Sequence, residues 1–451
     1  MKKYILLSLL SLLFICLSFT FRDEIAEATF LTGGPIPELP NTPFNYNVEF
    51  PEYFKEDSRF GFPRGNQTFE IDDNEATLGR VLFYDRLLSV SGTMSCASCH
   101  QQKFAFSENT PLSEGLNFDT KRNSIALADY SWTHNRSFFW DARTNNLNRA
   151  VSLPLFDTNE IAATFEDMVE KMNNTAYYPH LFAQAYNGDP TISKYKVRRS
   201  LEKFLMSITT LNSKYDKMRE GEVAFTGQEK FGHDLFIENC STCHIFATRY
   251  YTSTVDLGLP RDPNDKGKGE WAGERYNYHY DIPSLRNVEL SAPYMHNGQF
   301  ESLEEVLDFY SDGPEHIPSN TSLPKSGFQF SETEKEAIIA FLKTLTDTSV
   351  THERKWSNPF LKTVTNIEEQ VPLTEINIYP NPASTNSRLF VTGDSNIDRY
   401  EVFDMSGQLL KSGNYNGELN LNISAGSHRS VIVTFYGEKQ KTSRILNLID
   451  Q

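Results

Sequence analysis

Apolar positions recur at helical spacing over much of the first 350 residues. From Asn74 to Leu88, the residues Leu78, Val81, Leu82 and Tyr84 fall on one face, which predicts a helix. Residues 161–220 carry similar patterns, among them Phe165-x-x-Met168-Val169 and Leu201-x-x-Phe204-Leu205. Three Ser/Thr-x-x-Glu boxes mark further helix starts at Thr226–Glu229, Ser302–Glu305 and Ser331–Glu334, because hydroxyl and carboxylate can each cap the other's backbone N–H. Leu303, Val306, Leu307 and Tyr310 follow the second box at helical spacing, and Ala337–Leu345 follows the third. Residues 24–70, rich in Pro, Asn and aromatics, read as an extended lead-in, and the prolines and glycines of 251–281 predict a long loop. After residue 373 the pattern shifts to short strands such as Ile376–Ile378, Tyr400–Phe403 and Val431–Val433, separated by turns at Ser406-Gly407 and Asn416-Gly417. The expected fold is mainly α, with domains at 22–222 and 223–350, a linker at 351–373 and a small β-sandwich at 374–451.

The N-terminus changes this picture only at its edge. Lys2 and Lys3 precede an apolar run from Tyr4 to Phe19 that Arg22 and Asp23 end, which is a signal peptide over 1–21 rather than a membrane span. Cys16 lies in that run, but Ile15 before it argues against a lipid anchor. The mean hydropathy of -0.47 suits a soluble globular body. A net charge of -16 repels phosphate backbones, so no nucleic-acid partner is expected.

The four cysteines beyond the signal form two pairs, Cys96/Cys99 and Cys240/Cys243, each followed at once by a histidine, His100 and His244. In Cys-x-x-Cys-His, two thiols add to the vinyl groups of a heme and the histidine reaches its iron. With 5 Cys and 10 His in 451 residues, chance yields roughly one such match per thousand chains, so two matches are not accidental. A zinc ribbon would place its second pair about 15–20 residues on, whereas 140 residues separate Cys99 from Cys240. Redox disulfides remain the other alternative. A predicted helix precedes each pair, as in small cytochrome c domains, so the fold class becomes two cytochrome c-like heme domains followed by the β-sandwich.

Further motifs carry a resemblance. Leu78–Asp85 before Ser95–His100, then Arg122-Asn123, Phe139-Trp140-Asp141-Ala142-Arg143, Pro283–Asn287 and Ala292–Gly298 make residues 40–350 resemble the bacterial diheme cytochrome c peroxidases and the MauG-type diheme oxidases. The resemblance implies two covalently bound heme c groups, with peroxide reacting at the His100 heme and electrons arriving through the His244 heme. Trp140 matches the tryptophan between the hemes, and Glu160 the distal acid-base glutamate. Asn123, with the backbone carbonyls of Ser291 and Pro293, matches a calcium site. His296 matches a heme-propionate or structural contact. Read alone, Trp140 is a core aromatic, Glu160 a solvated carboxylate and Asn123 a turn residue.

Three departures matter. Where many peroxidases carry a histidine before Arg-Asn, this chain has Leu116, which cannot bind iron; the first heme is then expected to be five-coordinate, with His134 as the alternative ligand. Tyr310 stands where peroxidases carry Met and MauG-type proteins Tyr, so it is expected to bind the second iron; otherwise it continues an apolar stripe. Arg149 replaces a family Gln and is expected as a catalytic cation near the distal pocket or paired with Glu160, and Ala142 replaces a Gly. The C-terminal Ile378–Ala383 and Val402–Gly407 resemble the sorting domain of type IX secretion.

The function this implies is an exported peroxidase that reduces hydrogen peroxide to water with electrons from a small cytochrome or cupredoxin. A MauG-type oxidase acting on a partner protein through high-valent hemes, and a plain electron-transfer cytochrome, are the alternatives. The implied partners include the type IX machinery, and a homodimer is compatible with the reading. The protein is expected to pass through the periplasm and end secreted or at the cell surface.

Overall fold

The computed structural model describes residues 36–56, 68–131, 137–244, 254–314, 316, 323–360 and most of 377–448. The expected signal segment 1–21, with Cys16, and the alternative ligand His134 lie outside the described residues. The chain divides into a mainly helical unit, 1–362, and a β-rich unit, 363–451.

Helix α1, Asp73–Tyr84, begins where the Asp72 carboxylate accepts from the N–H groups of Asn74 and Glu75. It ends short of Leu88 because Asp85 turns extended and caps a tighter turn at Arg86–Leu88 instead. The pattern over 161–220 resolves into α2, Phe165–Asn173, α3, Tyr178–Ala185, and α4, Lys194–Ser207. Helices α1 and α4 cross so closely that a Cβ on Gly79 would sit 1.9 Å from the Ser200 carbonyl oxygen. Leu78, Val81, Phe83, Phe106 and Phe204 fill the core around that crossing.

A second core gathers Phe236, Leu307, Ile338, Phe341 and Leu342. These come from α5, Gly227–Asn239, α6, Leu303–Asp312, and α7, Glu332–Lys343. The capping boxes at Thr226 and Ser331 close reciprocally. At Ser302 only half forms: its Oγ accepts from Glu305 N, but the Glu305 carboxylate accepts from Glu301 N.

Two stretches differ from the sequence reading. The lead-in is part of the first core, with Tyr46 and Phe54 buried and a short helix at Glu52–Glu56. Residues 351–360, the start of the expected linker, are packed onto the same core. Trp356 is 3% exposed and its Nε1 donates to Ser207 Oγ at 3.1 Å. Tyr84 Oη donates to the Trp356 carbonyl at 2.7 Å, and Arg80 Nη1 to that of Arg354 at 2.8 Å. Both stretches lack helical periodicity because their large apolar residues insert singly.

The segment Pro283–Asn287 is held by a buried ion pair, Arg286 Nη2 to Asp216 Oδ1 at 2.7 Å, with Tyr53 Oη donating to the same carboxylate. Removing one partner of such a pair costs on the order of 3–5 kcal/mol. In the β-rich unit the strands are β1, Asn377–Tyr379, β2, Arg388–Thr392, β3, Arg399–Asp404, β4, Leu409–Asn414, β5, Leu419–Asn420, β6, Ser430–Gly437, and β7, Gln440–Asn447. They form one sheet in the order β7-β6-β3-β4 and another in the order β1-β2-β5. Leu389, Val402, Leu421, Val433 and Phe435 share one core. Among the described residues, no helix is long and apolar enough to cross a membrane.

Candidate functional site

Cys96–Cys99 forms a single helical turn, and His100 N closes it on the Cys96 carbonyl at 2.9 Å. His100 Nδ1 lies 3.2 Å from the Phe106 carbonyl. A proton on Nδ1 makes this a hydrogen bond and leaves Nε2 for iron, as a ligating histidine requires. Burial lowers the His100 pKa and keeps the ring neutral. The two thiols are free, and burial pushes both up to about 12.

The charge of Glu160 acts on both Cys96 and Cys99. Burial pushes its carboxyl up to about 7, Asp157 adds to the rise and Arg143 opposes it. The segment carrying Leu116 is tied to the same place. Leu116 N donates to the Asn159 carbonyl at 2.8 Å, and the Asn159 side chain bonds Asn117 N and the Phe118 carbonyl.

Arg149 does not form the expected pair with Glu160: its side chain is exposed and, among the described residues, makes no ion pair with that carboxyl. Arg143 is the cation that acts on the carboxyl. The guanidinium of Arg143 lies 3.5 Å from the Phe139 ring centroid and bonds Asp141 at 3.0 Å. The turn at Ala142, with φ 55°, brings Arg143 back. That left-handed conformation favours glycine, since a Cβ there costs about 1–2 kcal/mol.

Glu108 escaped the sequence reading. It is 3% exposed, accepts from Ser124 N at 2.7 Å and from the Ser113 hydroxyl, and its charge acts on Cys99 and His100. In the sequence it stands between Ser107 and Asn109, past Phe104-Ala105-Phe106, and that polar setting carries no signal of burial.

At the second motif, Cys240 caps the C-terminal end of α5 and His244 N closes on the Cys240 carbonyl at 2.9 Å. His244 Nδ1 is buried without a well-formed hydrogen bond, and the Pro283 carbonyl is the backbone group acting on it. Burial pulls the His244 pKa down to about 4. Tyr310, on α6, shares one cavity with Cys240, Cys243 and His244, walled by Leu307, Phe330 and Ile338. Burial first, then the two thiols, raise the Tyr310 phenol above its ordinary pKa. Two thiols, a neutral imidazole and a phenol in an apolar cavity are a donor set that fits an iron porphyrin.

Trp140 lines the same cavity and its Nε1 donates to the Asn123 carbonyl at 2.8 Å. Asn123, Ser291 and Pro293 also line it. An amide and backbone carbonyls are the oxygen donors that calcium takes. Among the described residues, no group of three His, Cys, Asp or Glu could hold a metal ion. His296 is buried, stacks on Tyr280 at 3.6 Å and gives its carbonyl to Asn123 N at 2.7 Å.

Two Cys-x-x-Cys-His pockets on one mainly helical body define a diheme c-type cytochrome. Residues 73–224 match the family described as di-haem cytochrome c peroxidase, and residues 377–443 match the secretion system C-terminal sorting domain. The methylamine utilization protein MauG of Methylorubrum extorquens is 30% identical over 282 residues, covering 61% of this chain and 79% of that protein. The cytochrome c551 peroxidase of Nitrosomonas europaea is 28% identical over 285 residues, covering 60% and 79%. Among solved structures, a MauG-like protein associated with microbial copper homeostasis shares 28% identity with a TM-score of 0.59, covering 71% of this chain and 99% of that one. The chain belongs to the di-haem cytochrome c peroxidase family, in which the MauG proteins stand. Membership implies two c-type hemes, and the sorting domain indicates export and secretion.

Proposed function

We propose that this protein is an exported diheme peroxidase that reduces hydrogen peroxide to water. The observation that carries the reading is Glu160, a half-buried carboxyl whose charge acts on Cys96 and Cys99 and whose pKa is pushed up to about 7. A carboxyl tuned near the working pH can take a proton from one oxygen of the peroxide and return it to the other. Bound heme supplies the iron that peroxide occupies and the electrons that reduce it. Arg143 offsets negative charge beside Glu160, and Leu116, fixed next to Asn159, would offer no ligand to an iron held by His100. Cys96, Cys99 and His100 hold one heme, and Cys240, Cys243, His244 and Tyr310 the other. Trp140 lies on the route between the pockets. Asn123 with Ser291 and Pro293 holds a calcium ion, and His296 supports the cavity wall. The two heme domains span 22–222 and 223–350, and the two C-terminal sheets form a sandwich read by the type IX machinery after periplasmic transit. A small cytochrome or cupredoxin supplies the electrons.

Tyr310 and Leu116 favour a second reading, a MauG-type oxidase that acts on a partner protein. Low-temperature EPR of the ferric holoprotein, followed by peroxide with and without reduced cytochrome c, separates the readings. One high-spin and one low-spin signal with fast cytochrome oxidation supports the peroxidase. The same pair of signals with slow cytochrome oxidation and a persistent oxidised spectrum supports the oxidase. Two low-spin signals without a peroxide response defeat both.

A further inference from the structure

One buried titratable cluster takes no part in the chemistry above. Asp85, at the end of α1, is 5% exposed, and its Oδ2 accepts from two phenols, Tyr177 Oη at 2.7 Å and Tyr178 Oη at 2.9 Å. Its Oδ1 accepts from Leu87 N at 2.8 Å. The two tyrosine rings lie 4.7 Å apart at 42°. Tyr178 is fully buried in the first core, against which Cys96 also packs, and the charge of a Cys96 thiolate would reach it. Tyr177 is half-buried and meets Phe360 edge-on at 6.1 Å. Lys171 is the cation facing Asp85.

Capping a turn needs one backbone donor, which Leu87 already provides. Two phenols on one carboxylate oxygen need another reason. Three donors mark Asp85 as an ionised acceptor, and its burial strengthens its hold on an incoming proton. Oxidising a phenol by one electron makes its O–H strongly acidic, so a carboxylate within hydrogen-bond distance takes that proton in the same step. Tyr178 is the phenol on which the charge of Cys96 acts, and Tyr177 is the more exposed of the two.

We propose that Tyr178, Tyr177 and Asp85 form a radical relay that carries oxidising equivalents from the His100 pocket to Tyr177, where a small phenolic reductant returns the electron. The relay rests on the peroxide reading of that pocket, and hydrogen peroxide is its oxidant. After peroxide has withdrawn electrons from the pocket, Tyr178 gives back one electron and its Oη–H bond breaks toward Asp85 Oδ2, leaving a neutral tyrosyl radical and a carboxylic acid. Tyr177 then passes one electron to Tyr178. Asp85 returns its proton to Tyr178 and takes the proton of Tyr177. A phenolic reductant gives Tyr177 one electron and becomes a phenoxyl radical, its own proton leaving to solvent. The proton on Asp85 goes back to Tyr177, and the relay is restored.

The test treats holoprotein with equimolar hydrogen peroxide and no donor, freezes it for EPR and maps oxidised tyrosines by peptide mass spectrometry. Tyr178→Phe is expected to lower both the tyrosyl signal and covalent oxidation at Tyr177 by about tenfold. Tyr177→Phe is expected to lower guaiacol oxidation by about as much while a radical persists at Tyr178. Heme spectra before peroxide check that each variant is intact, and Asp85→Asn, with both phenols kept, is expected to reduce the radical yield. Unchanged radical and oxidation in Tyr178→Phe, with a normal heme response to peroxide, overturns the relay alone. A heme spectrum that peroxide leaves unchanged overturns the peroxide reading and the relay with it.

Discussion

The two Cys-x-x-Cys-His pockets are built from the same motif and stocked with different partners. Around His100 stand two carboxyls, Glu160 and Glu108, an arginine within reach of one of them, and a carbonyl that orients the imidazole. Around His244 stand apolar walls, a phenol and an imidazole nitrogen without a well-formed hydrogen bond. The first sets carboxyls beside its thiols that can move protons; the second sets a phenol, Tyr310, that can adjust a heme's affinity for electrons. The motif thus fixes where hemes attach, while the side chains across the pocket decide what each heme does.

The largest effect is expected from Glu160→Gln, which keeps shape and removes the proton acceptor. Peroxide turnover should fall about 10²–10³-fold in stopped-flow assays, while the heme spectra stay the same. An unchanged rate would erase the contrast between the pockets. The same group sets a pH dependence. Its pKa is pushed up to about 7, so the ionised base is scarce below that pH and abundant above it. In the wild type kcat/KM should therefore rise through about pH 7 and level off, and the Gln variant should lose that rise.

A smaller, purely electronic effect is expected at the other pocket. A phenolate favours ferric iron, so Tyr310→Phe should raise the potential of the His244 heme by on the order of 100 mV in a spectroelectrochemical titration. The His100 heme should not shift. The smallest effect separates two arginines. Arg143→Ala removes the charge that opposes the rise in the Glu160 pKa, so the activity limb should move to higher pH and activity at neutral pH fall about twofold. Arg149→Ala should leave the profile in place; a shift there instead would restore the sequence expectation.

What was legible follows from how locally each feature is encoded. The heme attachment positions lie within five consecutive residues, and the helices α1, α2 and α4 to α7 announce themselves by apolar spacing or caps. Glu160 and Tyr310 were singled out only through resemblance, because nothing near them in sequence links Glu160 to Cys96 and Cys99, or Tyr310 to Cys240 and Cys243. Arg143 was overlooked in favour of Arg149 because the choice depends on a positive φ at Ala142 and a stack on Phe139, neither of which spacing reveals. Tyr46 and Trp356 joined the first core from stretches without periodicity, since one inserted aromatic leaves no repeat to detect.

The return of residues 350–360 to α1 and α4 sets an order of events for the newborn chain. Val350 and Trp356 belong to the core of the N-terminal half, so that half stays unfinished while the ribosome is still adding the last part of the heme body. A chain cut before Val350 would leave a hole beside Tyr84 and Ser207. Translocation in an extended, unfolded form suits such a design, because the first domain cannot close ahead of the segment that seals it.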